Sequence, residues 1–227
     1  MQQTYKKPIE VEKRLGELGL SESMLIHAVN AGLFGWLNCT DNHPPSFPGI
    51  NAWAEVIRDL RESLLPKAWE RLNDRNLPLT VNRLTGVAIT ASSGDECTGV
   101  EGMAPRTRNP KGVTTKQKVK ANAQQLGLFS DMTESAEELV EEVKKWDTWL
   151  LLSYRDLTAR VVRCELSHPV GIGIDGRVDG WHERIILGEI PFDGDRVLLT
   201  RGGGDGGNNA DGSVGSDAVD VEVKRRA

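Results

Sequence analysis

Apolar residues in the first third of the chain recur at helical steps. Between Ile9 and Leu18 they fall at positions 9, 11, 15 and 18 with charges between them, and Gly19 interrupts the pattern. This spacing predicts a short first helix. Ser21 suits the amino-terminal cap of a second, in which Met24, Leu25, Ala28, Val29, Leu33 and Phe34 recur before Gly32 and Gly35 weaken its end. That helix carries no arginine or lysine, so the helix-turn-helix outline reads as core packing rather than a DNA-groove reader. Prolines and polar residues mark 39–49 as a loop. A third helix is predicted over 51–72, with Trp53, Val56, Ile57, Leu60, Leu64 and Leu65 on one face. Pro66 kinks or divides it before the pattern resumes at 68–72.

The pattern then changes to strand. Residues 79–81 and 87–91 flank a five-residue loop and read as a hairpin, and 148–154 with 159–166 read as a second. Weaker strands are predicted at 183–187 and 196–199, and helices at 114–125 and 135–146. The stretch 92–112 has no apolar period and several breakers, which predicts a long loop that is either functional or mobile. The reading is α+β: amino-terminal helices followed by a mostly antiparallel sheet built from two hairpins. One domain is expected over 1–200, helical in 1–75 and sheet in 76–200 with the long loop at 92–113. The glycine-rich tail 201–227 buries too little apolar surface to order itself.

At 227 residues the chain is long enough for one core without metals or disulfides. Its three cysteines, Cys39, Cys97 and Cys164, are too few and dispersed for a disulfide framework. No apolar run approaches the roughly 18 to 20 residues of a membrane helix, and the first residues lack a secretory leader, so a cytoplasmic protein without membrane association is expected. A formal charge of −5 argues against a generally basic nucleic-acid binder, yet it can hide a basic patch.

Such a patch is the most informative feature. Between Glu101 and Asp131 stand Arg106, Arg108, Lys111, Lys116, Lys118 and Lys120 with no acidic residue among them. Phosphate is the natural partner of that field, because each neutralised phosphate releases a counterion. Arg106 and Arg108 fall on the loop, and Lys116 and Lys120 share a helical face. The alternative is a solvated segment whose cations pair with the acidic residues at 137–142.

Directly afterwards come Gln125, Leu126, Gly127, Leu128 and Phe129. These five residues resemble the short peptide with which bacterial replication and repair proteins dock on the sliding clamp. The resemblance implies a rim glutamine and apolar anchors, presented exposed and extended. The ordinary alternative is a helix end that enters the core.

A third candidate is the turn 94–99, where Asp95 and Glu96 stand beside Cys97 and Thr98. Adjacent carboxylates can hold Mg²⁺, and Glu165 or Glu183 on the sheet could complete a metal-dependent hydrolase or nuclease. The tight-turn reading competes with it. No glycine-rich phosphate loop, paired CxxC or GxSxG elbow is present, and His27, His43, His168 and His182 are too scattered to assemble from spacing. The leading expectation is a non-enzymatic DNA-associated accessory protein in replication, repair, or a mobile-element or phage-defence setting. No cofactor is expected of it. A metal-dependent hydrolase and a protein–protein interaction module are the alternatives.

Overall fold

Trp149, Leu150, Leu151 and Leu152 form an unbroken apolar run, and all four side chains are buried. A strand turns alternate side chains to opposite faces, so such a run needs cover on both sides of its sheet. The computed structural model describes residues 2–130 and 146–192 and supplies both covers. Trp149 and Leu151 share a core with Val11, Leu15, Leu25, Val29 and Leu60 of the amino-terminal helices. Leu150 and Leu152 pack instead with Val119 of a later helix and with Val178 and Trp181.

The elements are β1 (Gln3–Tyr5), α1 (Pro8–Glu17), α2 (Glu22–Leu37), α3 (Phe47–Leu64), β2 (Glu70–Asp74), β3 (Leu77–Asn82), β4 (Val87–Ser93), α4 (Val113–Ser130), β5 (Asp147–Asp156), β6 (Val161–Ile172), β7 (Val178–Ile186) and β8 (Ile190–Pro191). The strands form one sheet in the order β1-β7-β6-β5-β4-β3-β2, with β8 beside β6. Most pairs are antiparallel. β1 runs parallel to β7, and β4 parallel to β5 with α4 in the connection between them. The architecture is α+β, helices first and then a mostly antiparallel mixed sheet. The described residues belong to one unit spanning 1–194, and none of their helices is long and apolar enough to cross a membrane.

Both predicted hairpins form, as β3–β4 and β5–β6. The first is closed by Asn82, whose side-chain oxygen accepts the N–H groups of Leu84 and Thr85 at 2.9 and 3.3 Å. The third helix differs from expectation. It begins at Phe47, ends at Leu64, and is followed by one tight turn at Leu65–Lys67. Ala68, at φ 63°, then stops the helical run, so Pro66 marks an end rather than a kink. Residues 70–74 are strand β2, because β3 gives their backbone the partners that a proline-broken helix could not. Arg75 and Asn76, at φ 47° and 69°, make the turn between these strands. Two successive positive φ angles match the twist that an antiparallel pair requires.

The predicted helix 114–125 is α4, extended at its carboxyl end to Ser130. Apart from Trp146, the predicted helix 135–146 lies outside the described residues. The strand 196–199 and the tail 201–227 also lie outside them.

Candidate functional site

Of the segment 92–112, predicted as a loop that is functional or mobile, Ser92 and Ser93 end β4 and the rest is stitched to the sheet along its length. Gly94 bridges Thr107, and Thr107 exchanges two hydrogen bonds with Val178, N–H to carbonyl at 3.0 Å and hydroxyl from N–H at 3.0 Å. The Trp181 indole donates to the Pro105 carbonyl at 2.8 Å, and the Lys111 N–H to the Gly176 carbonyl at 2.8 Å. Beneath the segment lies Arg184. It donates to the two Glu165 oxygens at 3.0 and 2.5 Å and to the carbonyls of Met103 and Val100 at 2.5 and 3.3 Å. Ser167 Oγ and the Gly99 N–H donate to the same carboxylate at 2.6 and 2.8 Å. Both charged side chains are buried to within 1%, so Glu165 anchors the loop.

The carboxylates singled out for a metal reading are not brought together. Asp95 caps its own turn by accepting the Cys97 N–H at 3.2 Å, and Glu96 is exposed. Glu183 is gripped by Arg14 through two hydrogen bonds of 2.7 and 3.0 Å. Among the described residues no group of three or more His, Cys, Asp or Glu side chains is placed to hold a metal ion. Burial, then the charges of Asp95 and Glu96, push the Cys97 thiol up, the opposite of what a reactive thiolate needs.

The six-cation block divides. Arg106 pairs with Asp175 at 2.7 Å, and Lys118 with Asp74 at 2.8 Å. Lys116 and Lys120 stand exposed on α4. Arg108 and Lys111 line a cleft of about 670 Å³ at the carboxyl ends of the parallel strands β4 and β5, where open sheets with parallel strands commonly bind ligands. Arg155 of β5 enters the same cleft. Trp36 from the end of α2 and Trp53 from α3 form its aromatic wall. The Arg155 guanidinium lies over the Trp36 ring, 5.7 Å from its centroid, and the Trp53 indole is fixed by donating to the Ala91 carbonyl at 3.2 Å.

Among the described residues no aspartate or glutamate lines this cleft. Burial, and then the neighbouring charge of Arg108, disfavour the Arg155 cation. Burial alone pushes the Lys111 amine down to about 8, and it donates to the Ser92 hydroxyl at 2.5 Å. Lys111 and Arg155 are part-buried and Arg108 is exposed; among the described residues no acidic side chain in the lining offsets them, and for the part-buried pair that is an electrostatic cost a bound anion relieves.

A second cavity, of about 330 Å³, opens near the amino end of β5. There His168 Nε2 comes within 2.5 Å of Asp147 Oδ1, and the Trp149 indole donates to Asp147 Oδ2 at 2.9 Å. Burial raises the Asp147 carboxyl, but His168, Trp149 and Arg14 together outweigh it and hold the group below the usual range. His168 and His182, scattered in sequence, sit on adjacent strands with ring centroids 5.7 Å apart. Gln125 and Leu126 also line this cavity. The five residues 125–129 are the last turns of α4 and not a segment between elements. Docking as an extended peptide would therefore require that helix end to unwind; the Leu128 and Phe129 side chains lie outside the described residues, as does 137–142.

Sequence reasoning missed Arg155, Ser92, Trp36 and Trp53 as members of one site. The signal available was faint: an arginine ending an apolar strand, and two tryptophans on helices that otherwise read as core. Comparison of the chain with protein-family models, with curated proteins and with solved structures finds no match in any of the three.

Proposed function

We propose that this protein binds single-stranded nucleic acid, DNA in the accessory setting inferred from its sequence, in the cleft at the ends of β4 and β5. The observation that carries the reading is the convergence of Arg108, Lys111 and Arg155 on a cleft whose lining, among the described residues, holds no carboxylate. Phosphates would take the two guanidiniums, which present fork-shaped donors to oxygen pairs. Bases would stack on Trp53 and against the Trp36–Arg155 stack, the pairing of cationic groove and aromatic platform that suits unpaired strands. Arg106 and Lys118 take no part in this reading, because Asp175 and Asp74 already neutralise them.

The test is the salt dependence of oligonucleotide binding by fluorescence anisotropy. Affinity falls linearly with salt on a log–log plot, and Arg108→Gln and Arg155→Gln each reduce the slope by roughly 0.7 for single strands. Arg106→Gln and Lys120→Gln leave it unchanged. Equal slopes for all five proteins would remove the proposal.

A further inference from the structure

We infer that Lys111 is a nucleophilic amine that captures aldehydes held in the cleft, the substrate class being the open-chain sugar aldehyde of an abasic nucleotide. The inference rests on the nucleic-acid reading and adds a covalent step to it. An amine reacts with a carbonyl only when it is unprotonated, and a lysine reaches that state near neutral pH by desolvation or by neighbouring positive charge. Lys111 has both. Its side chain is part-buried, it shares the cleft with Arg108 and Arg155, and among the described residues no carboxylate in the lining holds its proton. Burial accordingly lowers its amine to about 8.

Its hydrogen-bond partner is a hydroxyl and not a charge. Ser92 Oγ lies 2.5 Å from Lys111 Nζ and is itself oriented toward the Ser93 carbonyl at 3.3 Å. A serine at that distance can relay protons without neutralising the amine. The Lys111 backbone is fixed as well, by the 2.8 Å bond from its N–H to the Gly176 carbonyl, so the amine is presented from a rigid stretch of chain.

The step balances without an oxidant or a metal. The Nζ lone pair attacks the C1′ aldehyde carbon, a C–N bond forms, and the carbonyl oxygen becomes a hydroxyl by taking the proton that the nitrogen releases through Ser92. Loss of that hydroxyl together with the proton remaining on nitrogen, as water, gives the imine. Hydrolysis reverses the sequence and returns the amine. The 5′ and 3′ phosphates of the abasic nucleotide are the groups that Arg108 and Arg155 would hold while this occurs. An intact nucleotide offers no free aldehyde and would bind without reacting.

The experiment uses the full chain and three oligonucleotides: one with a single abasic site, one with a tetrahydrofuran at that position, and one intact. Cyanoborohydride reduces any imine to a stable amine, read as a covalent adduct on a denaturing gel. The adduct is expected with the abasic strand alone, and peptide mapping of the native protein should place it on Lys111. Lys111→Arg should lower the yield at least about tenfold at strand concentrations that saturate binding, so that any change in the tetrahydrofuran strand's affinity is separated from loss of the adduct. Lys116→Arg should change neither. Mapping to another lysine, or no adduct while the tetrahydrofuran strand binds, overturns this inference and leaves the binding reading standing. No binding to any of the three strands removes both.

Discussion

Arg184 and Glu165 make a doubly hydrogen-bonded pair at 3.0 and 2.5 Å, joining β7 to β6 under the 94–107 segment with neither side chain exposed. The remaining guanidinium donors hold the Met103 and Val100 carbonyls. One buried ion pair therefore ties β7 to β6 and fixes the path of the loop that leads to Arg108 and Lys111.

Removing one partner should be severe, because it leaves the other charged and unpaired. Arg184→Met is expected to lower stability by about 3 to 5 kcal/mol, measured by urea denaturation, whereas Arg184→Met combined with Glu165→Leu should lose less than either change alone predicts. Limited proteolysis should cut the single variant first within 94–107. A single-variant loss below about 1 kcal/mol would show the pair to be incidental.

Lys111 predicts the opposite sign. Its folded amine lies at about 8 and the unfolded one near 10.4. Between those values the unfolded chain holds more protons, so native stability rises with pH across that window. Among the described residues, Arg108 and Arg155 are the other charged groups that line its cleft. Lys111→Met should therefore be more stable than the native protein at pH 7, by on the order of 2 kcal/mol, and the gap should close by pH 10. A gap that does not change with pH would mean that the amine is ordinary.

The aromatic wall offers a test independent of charge. Trp53 is 39% exposed in the cleft although it sits on a core-facing helix. Trp53→Ala should weaken single-strand binding by about 1 to 3 kcal/mol while leaving the salt slope intact. Trp36→Ala should also weaken it, since the Arg155 guanidinium that lies over its ring loses its support. Anisotropy titration at two salt concentrations separates the effects, and unchanged affinity in both variants would exclude stacking.

Asp147 gives an acid-side prediction. Its carboxyl is held below the usual range, so its contribution to stability is present above about pH 3.9 and is lost as pH falls through the folded value. Asp147→Asn should be less stable than the native protein at pH 7 by about 0.5 to 1 kcal/mol, a small loss because the carboxylate is more than a third exposed and solvent screens it. The two denaturation midpoints should converge below pH 4. A constant offset down to pH 2 would assign the loss to shape and not to ionisation.

Local chemistry determined the elements whose signals are local. Apolar spacing placed α1, α2, both hairpins and the start of α4, and the run Trp149 to Leu152 marked the strand that would lie at the centre. The change from helix to strand near residue 70 was hidden, because Ala68 to Leu72 fits a helical period and only pairing with β3 makes it strand. The cation block was visible as a block, but not its division. Arg106 and Lys118 are neutralised by Asp175 and Asp74, residues distant in sequence, whereas Arg108 and Lys111 are joined by Arg155.

The sequence by itself thus determined the class of fold and the presence of uncompensated positive charge, since side-chain periodicity and composition are properties of short windows. Only the tertiary structure decided which cations pair with a carboxylate among the described residues and what surrounds the others. Charge compensation depends on distance through space, and the parallel pairing of β4 with β5 brings Ser92 and Arg155 to one end of the sheet. There the loop held by Arg184 delivers Lys111 to within 2.5 Å of Ser92.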